Sequence, residues 1–371
     1  MKEELKLSLC MIVRNEESHL GRCLESVKDI VDEIIIVDTG SNDRTREIAL
    51  EWGATVLDFA WNDHFADARN YGLERASGDW ILWLDADEEV DEAGKENLRS
   101  VLKIDGCQLA SLQVVNYYGE LPPEYNRSHL MSQYRLFQNS SNLRFRGAIH
   151  EQLNIEGLEL TSNSITALPV TLHHYGYLEE TIQLKDKAER NLRLLKKELE
   201  VEDHDPWLDY HYASELYRCG ELTESFDAVN HAIGRFLKED KKPPSLLYKL
   251  KYSILMALGS FKGGWPGIEL AVQLYPDYVD LHFYKGIILL QMKEYVKALE
   301  TFRHCLELGD DHITHLTMVG AGSFHAWYYI GRCHEALEDL EPAKDAYHRT
   351  LELAANHSDA RVALDSLEVA E

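Results

Sequence analysis

The residues whose type and spacing could do chemistry are Asp85 and Asp87, in Gly78-Asp79-Trp80-Ile81-Leu82-Trp83-Leu84-Asp85-Ala86-Asp87-Glu88-Glu89. Two carboxylates one residue apart, on a chain just leaving a buried segment, can share one hard cation. Mg2+ or Mn2+ takes one or two carboxylates and completes its shell with phosphate oxygens. The pattern points to a metal–diphosphate site. Taken alone, an Asp-x-Asp fits a solvated acidic turn better, so the rest of the chain must decide.

The element that must carry these carboxylates is the apolar run Trp80 to Leu84. Short, aromatic and bounded by Ser77-Gly78, it reads as a strand buried on both faces. Asp85 and Asp87 then leave its carboxyl end, the edge where open α/β sheets bind ligands. Earlier segments repeat the plan. Leu7 to Val13 is a first buried strand, ending at Arg14-Asn15-Glu16-Glu17. A helix follows with Leu20, Cys23, Leu24 and Val27 on one face, and Ser18 is its expected N-cap. The strand Glu33 to Val37 runs into Asp38-Thr39-Gly40-Ser41-Asn42-Asp43, then a helix over Arg44 to Trp52 and a strand over Ala54 to Asp58. This β-helix-β-helix-β alternation implies a parallel sheet with right-handed crossovers. Further helices are expected over Asn70–Ala76 and near Asp91–Leu102, and strands over Ala110–Tyr118 and Gln133–Gln138. The loop Leu121-Pro122-Pro123-Glu124 between those strands is a candidate cover for the site.

Composition sets the outer bounds. The chain has 371 residues, 45% hydrophobic and 27% charged, with a formal charge of −26. That charge opposes nucleic acid and anionic membrane as partners, so an anionic ligand must be met locally by a metal or a few cations. The charged start of the sequence and the lack of a long apolar run lead to the expectation of neither a signal peptide nor a membrane span. Six scattered cysteines without a Cys-x-x-Cys read as reduced core or near-core residues, and the expected location is cytoplasmic.

From about Glu179 strand signals vanish. A small residue recurs with another twelve places later: Ala213/Ser225, Gly286/Ala298 and Gly331/Ala343, with Tyr252 and Gly264 marking a degenerate copy. This resembles the tetratricopeptide helix–turn–helix pattern, in which small residues let paired helices approach closely. It fits best over Tyr278–Asp311 and Phe324–Asn356. The division expected is an α/β domain over 1–178 and an all-α repeat domain over 179–371.

Asp38, Glu16, Asp85 and Asp87, and later Glu151 and His174, all fall at or near strand ends. Four segments taken in order resemble family 2 glycosyltransferases of the GT-A fold. They are Ser8-Leu9-Cys10-Met11-Ile12-Val13-Arg14-Asn15-Glu16, Val37-Asp38-Thr39-Gly40-Ser41-Asn42-Asp43-Arg44-Thr45, Ala68-Arg69-Asn70-Tyr71-Gly72 and Asp85-Ala86-Asp87-Glu88. The segments Tyr134-Arg135-Leu136-Phe137, Phe145-Arg146-Gly147-Ala148-Ile149-His150-Glu151 and His174-Tyr175-Gly176-Tyr177, followed by repeats, are similar to the sublancin-type bacteriocin peptide S/O-glycosyltransferases. The resemblance implies a GT-A, mainly parallel, Rossmann-like domain and a UDP-sugar donor, UDP-glucose first. Val13, Asn15, Glu16, Asp38, Ser41, Arg69, Asp85 and Ala86 would bind the nucleotide sugar, with Asp38 accepting from the uracil imide N–H. Asp87 and His174 would hold a divalent metal, Mn2+ or Mg2+, and Glu151 would be the catalytic base. The acceptor implied is a Cys, Ser or Thr side chain of a peptide or protein, held with help from the repeats. A homodimer is the other use of that repeat surface.

Elementary chemistry agrees. Transfer from a nucleoside diphosphate sugar needs its leaving diphosphate neutralised and a base for the acceptor proton. His173 and His174 are neighbours on an extended segment and point to opposite sides, so only one can face a metal. Competing readings are a transferase acting on a cell-surface or spore glycan, an inactive repeat scaffold, and a sugar-phosphate nucleotidyltransferase. The last needs a Gly-rich loop after the first strand, and Arg14-Asn15-Glu16 has none. A dinucleotide oxidoreductase fails for want of Gly-x-Gly-x-x-Gly there.

Overall fold

The computed structural model describes residues 5–155, 160–161, 163–178, 181–201 and 203–369. The chain forms two compact units, residues 1–123 with 131–180, and residues 124–130 with 181–371.

The first unit is built on a mixed sheet. Its strands are β1 (Leu7–Val13), β2 (Glu33–Asp38), β3 (Thr55–Asp58), β4 (Trp80–Trp83), β5 (Glu88–Val90), β6 (Leu109–Gly119), β7 (Ser128–Gln138), β8 (Phe145–Arg146), β9 (Gln152–Leu153) and β10 (Ile165–Leu178); helices α1 (Leu20–Val27), α2 (Thr45–Glu51) and α3 (Phe65–Leu73) lie among them in the chain. The main sheet runs β3-β2-β1-β4-β7-β6-β10-β5, and β8 pairs with β9 apart from it. Neighbours from β3 to β4 are parallel, as are β6 and β10. β7 against β4 and β5 against β10 are antiparallel.

Side-chain alternation places helices on both faces of this sheet. Leu7, Leu9, Met11 and Val13 pack in one cluster with Leu20, Cys23, Leu24 and Val27 of α1, and Cys10, Ile35 and Ile81 pack in another with Ala66 and Leu73 of α3. Each fully buried leucine or valine of α1 contributes about 1.5–3 kcal/mol relative to an exposed one.

Some local expectations are corrected. Residue His19, not Ser18, is the N-cap of α1, and it makes no side-chain capping bond. The Ser18 hydroxyl contacts the His19 ring instead. Helix α3 begins five residues before Asn70, because the Asp67 N–H donates to Nδ1 of the cap residue His64 at 3.2 Å. The helix expected near Asp91–Leu102 is a 3-10 run, Lys95–Lys103. Five cysteines are buried, but Cys219 is exposed.

The second unit is helical: α4 (Thr181–Leu199), α5 (Pro206–Arg218), α6 (Leu222–Lys238), α7 (Ser245–Ala257), α8 (Phe261–Gly264), α9 (Gly267–Leu274), α10 (Val279–Gln291), α11 (Tyr295–Leu308), α12 (Phe324–Ala336), α13 (Leu340–Leu353) and α14 (Ser358–Val369). The twelve-residue spacing marks close helix contacts. A Cβ added at Gly286 would lie 2.6 Å from the Phe302 ring, and one at Gly331 would lie 2.4 Å from Tyr347. The Ser225 hydroxyl donates to the Ala213 carbonyl at 2.7 Å. The degenerate copy is irregular because Pro266 separates α8 from α9. The short strand β11 (Thr317–Met318) pairs with Leu130 and His129 within this unit, and Glu124, from the loop expected over the site, bonds Asn356 there. Among the described residues no helix is long and apolar enough to cross a membrane.

Candidate active site

The first two loops at the sheet edge are laced together. Asn15 adopts a left-handed backbone, φ +56, which asparagine tolerates better than most residues. Its N–H donates to the Ser41 hydroxyl at 3.0 Å, and its Oδ1 accepts from Asn42 N–H at 2.9 Å. The buried Asp38 accepts from Gly40 and Ser41 N–H groups at 3.0 and 2.8 Å through Oδ1. The Val13 carbonyl accepts from Thr39 N–H. Val13, Asn15, Asp38 and Ser41 thus form one rigid rim. Glu16 stands beside it, 3.2 Å from the ring of His19. That hydrogen bond holds His19 above its ordinary pKa.

A second group centres on Arg69. Its Nη2 donates to Asp85 Oδ1 at 2.8 Å, and its Nε donates to Glu151 Oε1. Burial opposes the charge of Arg69, but Asp85 and Glu151 outweigh it and keep the guanidinium above its ordinary value. Burial would likewise raise the Asp85 carboxyl; Arg69 and then Arg135 overcome it and hold the group at about 2. The neighbouring Asn70 clamps β8, donating to the Phe145 carbonyl and accepting from Phe145 N–H, both at 2.9 Å. The turn that delivers Glu151 is fixed at the same helix, since Phe65 N–H donates to the Ala148 carbonyl at 2.8 Å. Within that turn His150 is left-handed, φ +52, a conformation that costs order 1–3 kcal/mol and often accompanies functional sites.

A third group joins Asp87 to β10. Its Oδ1 lies 3.6 Å from His174 Nε2, with both side chains largely buried. The other ring nitrogen of His174 is 2.8 Å from Asn116 Oδ1 on β6, which leaves Nε2 toward Asp87. Such an outer partner fixes the tautomer and orientation of a ligating histidine. Both groups pack directly against Gly176: a Cβ there would stand 2.3 Å from Asp87 Oδ2 and 2.7 Å from His174 Nε2. His173 points the other way, to the Tyr117 hydroxyl at 3.0 Å and Asp91 at 3.2 Å. Ala86 is buried in the apolar cluster beneath while its two neighbours carry the carboxylates. Among the described residues no three His, Cys, Asp or Glu side chains are gathered as a metal cluster.

Sequence reading did not foresee Glu88, Arg135 and Asn116 in these roles. Glu88 is not part of a solvated acidic turn. It is fully buried, paired with the buried Arg135, and burial pushes its carboxyl up to about 8 against the pull of Arg135. The available signal was a charged or amide residue inside an apolar strand, Tyr134-Arg135-Leu136-Phe137 and Val114-Val115-Asn116-Tyr117, because buried polar groups require partners.

Comparison with known proteins gives these groups a context. A TPR repeat-containing protein of Synechococcus elongatus is 37% identical over 257 residues, 68% of this chain and 61% of that protein. The SPbeta prophage-derived glycosyltransferase SunS of Bacillus subtilis is 29% identical over 286 residues, 76% of this chain and 66% of that protein. The chain therefore spans less than two thirds of the length of either. The lipopolysaccharide core biosynthesis glycosyltransferase LpsC of Rhizobium meliloti is 27% identical over 263 residues, 65% of this chain and 93% of that protein. Residues 8–161, which contain Val13, Asn15, Glu16, Asp38, Ser41, Arg69, Asp85, Asp87 and Glu151 but not His174, match the model of glycosyl transferase family 2.

Proposed function

We propose that this chain is a metal-dependent, inverting glycosyltransferase that moves a sugar, glucose first, from a UDP-sugar to a Cys, Ser or Thr side chain of a peptide or protein. One observation carries the reading. A single guanidinium, Arg69, bonds both Asp85 and Glu151, which lie far apart in the chain, and so holds a donor-side carboxylate and a candidate base in one place.

Asp87 and His174 fit a divalent ion. Their facing atoms are 3.6 Å apart, and two protein ligands suit Mg2+ or Mn2+, which take their other ligands from water and substrate phosphates. Bound there, the ion would supply Lewis-acid neutralisation of the leaving diphosphate. The chain's own residues do the rest. The rim of Val13, Asn15, Asp38 and Ser41, with Glu16, receives the nucleoside. Glu151 takes the proton from the acceptor sulfur or oxygen as that atom attacks C1 of the sugar, and the bond from C1 to the diphosphate oxygen breaks. Arg69 keeps Glu151 pointed at that proton. One-step displacement inverts C1, so a UDP-α-sugar gives a β-linked product.

The peptide acceptor rests on the resemblance to sublancin-type enzymes and on the helix pairs, a repeat architecture whose stacked surfaces commonly bind extended partners. LpsC, named for lipopolysaccharide core biosynthesis, supports a second reading with a glycan acceptor. Thermal shift with UDP and Mn2+, with and without chelator, tests the donor half: stabilisation that needs the metal is expected, and its absence with every nucleotide would end the proposal. Intact-mass analysis of peptide and glycan acceptors incubated with UDP-sugars separates the two acceptor classes.

A further inference from the structure

The loop between β4 and β5 is closed twice across the same two residues. Glu88 N–H donates to the Asp85 carbonyl at 3.1 Å, and Asp85 N–H donates to Glu88 Oε2 at 2.8 Å. Glu88 is also the residue opposite His174 where β5 pairs with β10, and Tyr175 N–H donates to the Asp87 carbonyl at 3.0 Å. Glu88 is thus bonded to Asp85, next in the chain to Asp87, and paired across the strands with His174.

What anchors Glu88 is Arg135, on β7. The arginine is 4% exposed and Glu88 0%. Nη2 of Arg135 donates to Glu88 Oε1, and the guanidinium carbon lies 3.8 Å from the centre of the Trp83 ring. Arg69 lies 4.5 Å from the same ring, so one indole supports the cation that holds Glu88 and the cation that holds Glu151. Trp83 is itself fixed, its Nε1–H donating to the Tyr134 carbonyl at 3.0 Å. Yet Arg135 Nε and Nη1 find no hydrogen-bond acceptor among the described residues. A buried ion pair with unmet donors is a poor way to stabilise a fold, since apolar residues of similar volume commonly do as well or better. The pair needs another reason to exist.

We propose that Arg135 and Glu88 are positioning residues: through the Asp85 amide and the β5–β10 register they set the spacing of Asp85, Asp87 and His174 for a metal-bound nucleoside diphosphate. This rests on the reading of the site as a metal–nucleotide-sugar site. The pair touches neither donor nor acceptor, and its effect passes through the loop.

The test compares Arg135→Met, the double variant Glu88→Leu/Arg135→Met, and Glu88→Gln in the full chain, reading thermal midpoint and UDP affinity with Mn2+. Arg135→Met alone leaves the buried Glu88 carboxyl without its partner and lowers the midpoint. The double variant removes both buried polar groups and recovers most of the midpoint, but its Mn2+-dependent UDP affinity stays at least tenfold below wild type, the scale of losing a residue that orients a metal ligand. Glu88→Gln has one acceptor oxygen for two donors, the Asp85 amide and Arg135, so it breaks the anchor and binds at least tenfold more weakly than wild type. A double variant that recovers both midpoint and affinity shows a merely structural pair and overturns the proposal. So does Glu88→Gln binding with wild-type affinity, and that variant decides alone if the double variant does not fold. Wild-type protein that binds UDP with no divalent ion overturns the functional reading itself, and this inference falls with it.

Discussion

Gly176→Ala places one methyl group against the Asp87–His174 pair without removing either side chain. The added Cβ would lie 2.3 Å from Asp87 Oδ2 and 2.7 Å from His174 Nε2, where ordinary contact begins at 3.4 Å. The carboxylate must retreat by about 1 Å, and crowding of this kind costs about 1–3 kcal/mol of stability. Gly176 does not occupy the left-handed backbone region, so alanine adds no backbone strain there. Changes in partners that merely orient a metal ligand cost 10–100-fold in affinity, and moving the ligand itself should reach about the upper figure. The assay is calorimetric titration of UDP in Mn2+, with the thermal midpoint as control for folding. The expected result is a folded protein, a few degrees less stable, with Mn2+-dependent UDP affinity down about 100-fold. Wild-type affinity in Gly176→Ala would refute the assignment of a bound ion to Asp87 and His174.

Other expectations follow from the same geometry. Asp87→Asn keeps the shape of the side chain but loses its charge, so Mn2+-dependent UDP binding should weaken at least tenfold; titration with and without chelator checks it. Gly331→Ala drives a methyl to 2.4 Å from the Tyr347 ring, so thermal unfolding should show about 1–3 kcal/mol of destabilisation. Burial, and then His357, hold the folded His325 imidazole at about 4, below its ordinary 6.5. Between those values the unfolded chain binds a proton that the folded chain refuses, so this contribution is full above about 6.5 and is lost as pH falls toward 4. At about 1.4 kcal/mol per pH unit it is worth at most about 3.5 kcal/mol. The stability of His325→Phe, followed by denaturant titration across that range, should fall less steeply than wild type.

How much of this was legible in the sequence differs by region. β1 to β4 were clear because each is a short apolar run ending in a polar turn, and neighbours in the order β3-β2-β1-β4 come from nearby stretches of chain. The helix pairs were clear for a related reason: Gly286, Gly331 and Ala213 mark close contacts that bulky residues cannot make. The far half of the sheet was harder. β5 has three residues, and its partner β10 lies far along the chain, so no local pattern separates it from a solvated turn. That is why Glu88 looked like one more exposed acid. Arg69 was visible in its motif, but its bond to Glu151 spans 82 residues and exists only once α3 and the turn after β8 are packed. The orientation of His174 depends on Asn116, a single amide in an apolar strand, and strand periodicity alone could show only that His173 and His174 face opposite ways.

The central claim is transfer of a sugar with Glu151 taking the acceptor proton, and one comparison tests it most directly. Wild type and Glu151→Gln are each incubated with UDP-glucose, Mn2+ and a panel of Cys-, Ser- and Thr-containing peptides, and the peptides are weighed intact. Donor binding is measured in parallel for both proteins. The account predicts a gain of one hexose with wild type, and for Glu151→Gln a retained affinity for UDP-glucose with turnover reduced at least 100-fold, the lower end of what general base catalysis supplies. Full turnover by Glu151→Gln would contradict it.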